Sequence, residues 1–159
     1  MRPTFEETVN VLVKAYLNDT LVHGACSACA VGNIVSASMG KVALRMPGTS
    51  TGFDPHYWAD GSKIHWWDVF STSSRRQRID AKQYYGDAKE EIDSTGYTWQ
   101  QLSRIEFAFE SADGNASNYQ DETWMFNGLM AVVDVLADIH GIDLQAKESA
   151  KALFVKSCA

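Results

Sequence analysis

The stretch from Asp121 to His140 constrains this chain more than any other. Met125, Leu129, Val132, Val133, Leu136 and Ile139 recur at helical spacing, and Trp124, Phe126, Met130 and Val135 widen the stripe. A helix apolar over so broad an arc is covered on several sides. The pattern therefore predicts a central helix with others packed around it, ended by Gly141 in the position where a left-handed residue stops a helix.

The neighbours can be read in the same way. Thr4 and Glu7 have capping-box spacing. They open a helix that carries Phe5, Val9, Leu12, Val13, Tyr16 and Leu17 on one face. Ala25 to Ser38 consists mostly of Ala, Ser, Gly and Cys, with Val31, Ile34 and Val35 as its large apolar members. It predicts a helix squeezed between others and stopped at Gly40. Residues 80–93 read as a polar, exposed helix. Thr98 opens another helix, with Gln101 at capping distance and Leu102, Ile105, Phe109 and Ala112 facing inward. Asp143 caps a last helix expected to run to residue 157, with Leu144, Ala150, Leu153 and Phe154 inward. Residues 41–79 lack helical period, and Asp60-Gly61 is a favoured hairpin turn. The expected fold is mainly α: a single domain over 1–159, a bundle of five or six helices with an irregular aromatic-rich insert at about 41–79 that has room for a short β-hairpin.

Charge and composition narrow the function classes. A net charge of -6 argues against a duplex nucleic-acid binder with an overall basic face. No apolar run reaches the ~20 residues that span a bilayer, and MRPTFEETVN lacks the apolar region of a signal peptide. The three cysteines are too few and odd in number for a secreted disulfide framework. These features lead to the expectation of a cytoplasmic protein with no membrane partner.

The stretch HGACSACAVGN, residues 23–33, raises the question of chemistry. His23, Cys26 and Cys29 are zinc-type ligands at three-residue steps. On a helix they lie within about 120° of one another. A fourth ligand would come from His56, His65, His140, Cys158 or a carboxylate, and no second paired half such as CxxC exists. A thioredoxin-like dithiol would follow a strand, and none is predicted before Cys26. The favoured reading is that both cysteines are small buried packing residues and that no cofactor is needed. A zinc- or thiol-dependent site, possible enzyme included, is the alternative. Glu106 and Glu110 lie one turn apart without the Glu-x-x-His of dimetal bundles, and read as an exposed face. The loop from Asp113 to Asp121 imitates the start of a calcium loop but has Asn118 and Trp124 where Gly and Glu belong. His140 ends a helix, where a cation complements the dipole.

The insert concentrates aromatic and basic residues. Trp58, Trp66 and Trp67 with Tyr57 and His65 could grip a flat ligand or anchor an interface. Arg75, Arg76 and Arg78 could pair with phosphate. These eight residues are the candidate ligand-binding set. The competing reading makes the tryptophans part of the core and leaves the arginines solvated.

HGACSACAVGN, with GYTWQQLSRIEFAFESA and NGLMAVVDVLADIHGID, resembles small uncharacterised proteins of Bacteroidetes and their phages. The resemblance covers about a third of the chain and carries no activity or catalytic residue to transfer. It implies a compact acidic protein that binds a host protein or sequesters a small ligand. The expectation is a non-enzymatic binding protein that engages a host protein or a small anionic, nucleotide-like ligand through residues 53–78. A homo-oligomer is the other use of such a patch.

Overall fold

Six helices and a two-stranded sheet make up residues 2–67, 87–111 and 122–155, the residues described in the computed structural model. In chain order they are α1 (Phe5–Leu17), α2 (Ala30–Met39), β1 (Ala43–Arg45), β2 (Phe53–Trp58), α3 (Asp87–Ser94), α4 (Trp99–Ser111), α5 (Glu122–His140) and α6 (Leu144–Lys151). The fold is mainly helical, as the periodicity predicts. Among these residues no helix is long and apolar enough to cross a membrane.

Both capping boxes form. Thr4 Oγ1 accepts the Glu7 N–H at 3.1 Å, and the Glu7 carboxylate accepts the Thr4 N–H at 2.9 Å. Thr98 and Gln101 exchange the equivalent pair at 3.1 and 2.9 Å. Each box satisfies two of the amide donors a helix leaves open at its start. α5 is central as expected, packing against α4, α6 and α1. Leu129, Val132, Val133 and Leu136 are fully enclosed by its neighbours. α4 and α5 run antiparallel: Arg104 pairs with Asp138 at one end, and Phe109 meets Gly128 toward the other.

Several boundaries differ from expectation. The small-residue helix starts at Ala30 rather than Ala25, because Cys29 sits in extended conformation as its N-cap and its Sγ accepts the Gly32 N–H at 3.3 Å. The last helix stops at Lys151. The chain then turns so that Phe154 is buried against Tyr16, as expected, and Leu153 is left exposed; Leu144, at the first position of the helix, is exposed as well rather than inward. In the insert, the Asp60-Gly61 turn forms, with a bridge between Tyr57 and Lys63. The regular sheet pairs β2 instead with β1, antiparallel, Ala43 opposite Trp58 and Arg45 opposite Phe53. His140 is also more than a charge at a helix end. Its Nε2 meets the Tyr97 hydroxyl at 2.7 Å, and that hydroxyl also meets Thr8 Oγ1 at 2.7 Å. Partial burial, with Arg2 nearby, lowers the His140 pKa and so disfavours the cationic form expected there.

Trp58 and Trp66 are completely enclosed in the main core. Truncating Trp66 therefore removes core packing, and Trp66→Ala is expected to lower unfolding free energy by about 3–5 kcal/mol in urea denaturation. A loss below ~1 kcal/mol would contradict this placement.

Candidate functional site

The segment before α2 is held by a set of short contacts. Val22 N–H bonds the Ala28 carbonyl at 2.9 Å, and the Ala28 and Cys29 amides both bond the Ala25 carbonyl. The Asn33 amide reaches back from α2 to the carbonyls of Thr20, Ala28 and Cys29. A Cβ at Gly32 would lie 2.2 Å from the Cys26 carbonyl oxygen, so only glycine lets the segment rest on the first turn of α2. This is the physical reason for glycine at position 32. Phe53 of β2 packs beneath, with Val22, Ala25 and Ala28.

That packing drives His23 into the protein, where it is 0% exposed. Its ring lies between Phe109 of α4 and Trp124 of α5, nearly parallel to both, at centroid distances of 4.0 and 3.9 Å. Gly128 makes the room: a Cβ there would stand 2.7 Å from the Phe109 carbonyl oxygen and 3.4 Å from His23 Cε1. Glu110, 28% exposed, holds the edge of the ring, with Nδ1 to Oε2 at 3.1 Å. Its Oε1 accepts the Gly24 N–H at 3.2 Å. A carboxylate accepts with both oxygens, so Nδ1 carries the hydrogen and a neutral ring presents a lone pair at Nε2. Nε2 is buried and has no hydrogen-bond partner.

One turn back on α4, Glu106 is buried, 8% exposed, and its Oε1 also has no partner. Burial first, and then the neighbouring Glu110, push its carboxyl up to about 8, against the pull of the Cys29 thiol and the Val31 N–H. At neutral pH this group holds a proton. Burial, reinforced by Glu106, raises the Cys29 thiol well above its ordinary value, so it is a neutral cap and not a thiolate.

The structure thus brings His23 and Cys29 into one polar cluster with two carboxyls that the sequence reading placed on an exposed face. Glu106 corrects that reading directly. Cys26 is half-buried beside this cluster, and both cysteines are thiols. Among the described residues, no group of three or more His, Cys, Asp or Glu side chains is placed to hold a metal ion. Glu106 was missed although Leu102, Ile105, Glu106 and Phe109 share one helical stripe, a spacing that puts it inside.

The aromatic segment divides. Trp58 and Trp66 are core residues. Tyr57 and Trp67 are 45% and 41% exposed, and Trp67 meets Trp66 edge to face. His65 is half-buried, and its N–H and that of Trp66 bond the buried Glu91 carboxylate. Arg75, Arg76 and Arg78 lie outside the described residues, as do Cys158 and the loop from Asp113 to Asp121. No protein-family model, curated protein or solved structure matches the chain.

The buried Glu106 makes stability fall as pH rises. Between its ordinary 4.5 and about 8, the folded chain keeps a proton that the unfolded chain has released. Each pH unit in that window is expected to cost up to about 1.4 kcal/mol from this group. Urea titrations from pH 5 to 8 should show this slope in the native chain and a flatter one in Glu106→Gln. Equal slopes would contradict the assignment.

Proposed function

We propose that this protein binds a small molecule and that the His23 cluster is its working site. The observation that carries the reading is Nε2 of His23, fully buried and without a partner while the rest of the ring is fixed. A buried acceptor left unsatisfied costs about 1–3 kcal/mol. Such groups are normally met by protein, water or a ligand. Two ring stacks and a carboxylate clamp hold this one in a single orientation, which is how a binding group is preorganised. The same carboxylate-held imidazole is the arrangement that general-base chemistry uses, so proton transfer on the bound molecule is within the site's means.

The neutral Cys29 weakens a thiol-dependent reading at that residue. A second reading, capture of a host protein or anionic ligand by the aromatic segment, draws its support from the exposed rings of Tyr57 and Trp67. It now rests on fewer aromatic groups than the sequence offered.

Native mass spectrometry of protein purified from cells, compared with the denatured mass, tests the leading reading. A small-molecule adduct is expected, lost on denaturation and absent from His23→Phe, which keeps a ring between Phe109 and Trp124 but removes Nε2. An adduct with the mass of one zinc ion would make a metal the occupant. An adduct that survives His23→Phe would move the site to the aromatic segment.

A further inference from the structure

Cys26 and Cys29 lie on a single tight turn. The Ala28 and Cys29 amides both bond the Ala25 carbonyl, at 3.0 and 2.9 Å, so residues 26–28 follow one helical turn before α2 begins. Helical geometry puts Cα atoms three residues apart at about 5 Å, inside the roughly 4.4–6.8 Å that a disulfide spans. The direction agrees as well. The Cys29 φ of -76° is close to the helical value, so its Cβ points as it would on a helix, on the same face as that of Cys26. Both ends of the turn are held. The Cys26 carbonyl rests against Gly32, where a Cβ would come within 2.2 Å of it. The Cys29 carbonyl accepts the Asn33 N–H at 2.9 Å and the Asn33 side-chain amide at 3.0 Å. Cys26 is half-buried, Cys29 is 1% exposed, and both are thiols.

From this placement we propose that Cys26 and Cys29 are a reversible redox pair, oxidised by a small disulfide of the glutathione kind, with Cys26 reacting first and Cys29 closing the bond. In the first step Cys26 Sγ attacks one sulfur of the small disulfide. That S–S bond breaks, and one glutathione leaves as a thiol with the Cys26 proton. In the second step Cys29 Sγ attacks Cys26 Sγ, and the other glutathione leaves with the Cys29 proton. Two protein thiols are oxidised, and one small disulfide is reduced to two thiols. Burial keeps Cys29 in its thiol form, which makes the second step the slower one. Bonding draws the Cβ atoms from about 5–6 Å to about 3.5–4.5 Å. Oxidation therefore tightens the turn that the Val22–Ala28 hydrogen bond ties to the His23 segment. The pair does not depend on what His23 binds.

The test uses the full chain carrying Cys158→Ser, so that Cys26 and Cys29 are its only thiols. It is equilibrated in mixtures of oxidised and reduced glutathione, folded and in urea, then alkylated and weighed by mass spectrometry. The folded chain is expected to lose two hydrogens and both alkylation sites, with peptide mapping joining Cys26 to Cys29. Its equilibrium constant for the bridge is expected to exceed that of the urea-unfolded chain roughly tenfold, because the fold holds the two thiols together. Cys29→Ser is expected to stop at one glutathione on Cys26, and folded Cys26→Ser to take none. A folded chain that keeps both thiols, or halts at the mixed disulfide, overturns the proposal. So does a bridge no more favourable in the folded chain than in urea, since the turn would then contribute nothing. Glutathione on Cys29 of folded Cys26→Ser overturns the order of attack.

Discussion

The interaction on which this structure depends is the stack of His23 between Phe109 and Trp124, locked by Glu110. One side chain from the segment before α2 ties together the end of α4 and the beginning of α5. The contact with Glu110 spans 87 positions in the chain. It fixes where the segment lies, and so where Cys29 can cap α2. Parallel ring faces contribute about 0.5–1.5 kcal/mol per pair beyond area burial. The larger consequence is orientation, because the stack leaves the imidazole one rotation in which Glu110 can be met.

Such an arrangement needs unusually close backbones, and two glycines supply them. Gly32 lets the Cys26 carbonyl rest on α2, and Gly128 lets α5 approach Phe109 and His23. Around this the core is ordinary: Leu102, Ile105, Leu129 and Val132 fill the space between α4 and α5. Within it the cluster is costly, since buried polar groups without partners reduce stability. A hydrophobic residue at position 106 would avoid the cost of a buried carboxyl oxygen without a partner. An imidazole and a carboxyl set this cluster apart from the apolar packing around it.

Much of the fold was legible in the sequence. The capping boxes and the apolar periodicity placed α1, α4 and α5, because those signals are local. The start of α2 was not legible, since a cysteine as N-cap looks like one more small helix residue. Of the four residues expected inward on the last helix, Ala150 and Phe154 are buried, whereas Leu144 and Leu153 are exposed, Leu153 because α6 ends at Lys151 and the chain turns there. Trp58 and Trp66 drew attention as ligand-gripping rings because they sit in an irregular segment. Irregular backbone can still deliver side chains to a core, and here it does. Half of the candidate site was visible as HGACSACAVGN. The other half, Glu106 and Glu110, reads as solvated charge unless the stripe on α4 is followed residue by residue, and no local pattern announces a partner 87 positions away.

The account turns on one proton. If Glu110 holds the ring as described, the hydrogen of neutral His23 is on Nδ1, and Nε2 is left as an acceptor. Long-range nitrogen–proton correlation on histidine-labelled protein reads this directly. The account predicts a protonated-type Nδ1 signal for His23 and an unprotonated-type Nε2 signal, reversed in neither the free nor the ligand-saturated chain. A hydrogen on Nε2 with a bare Nδ1 would mean that Glu110 does not set the ring, and the site as described would not exist.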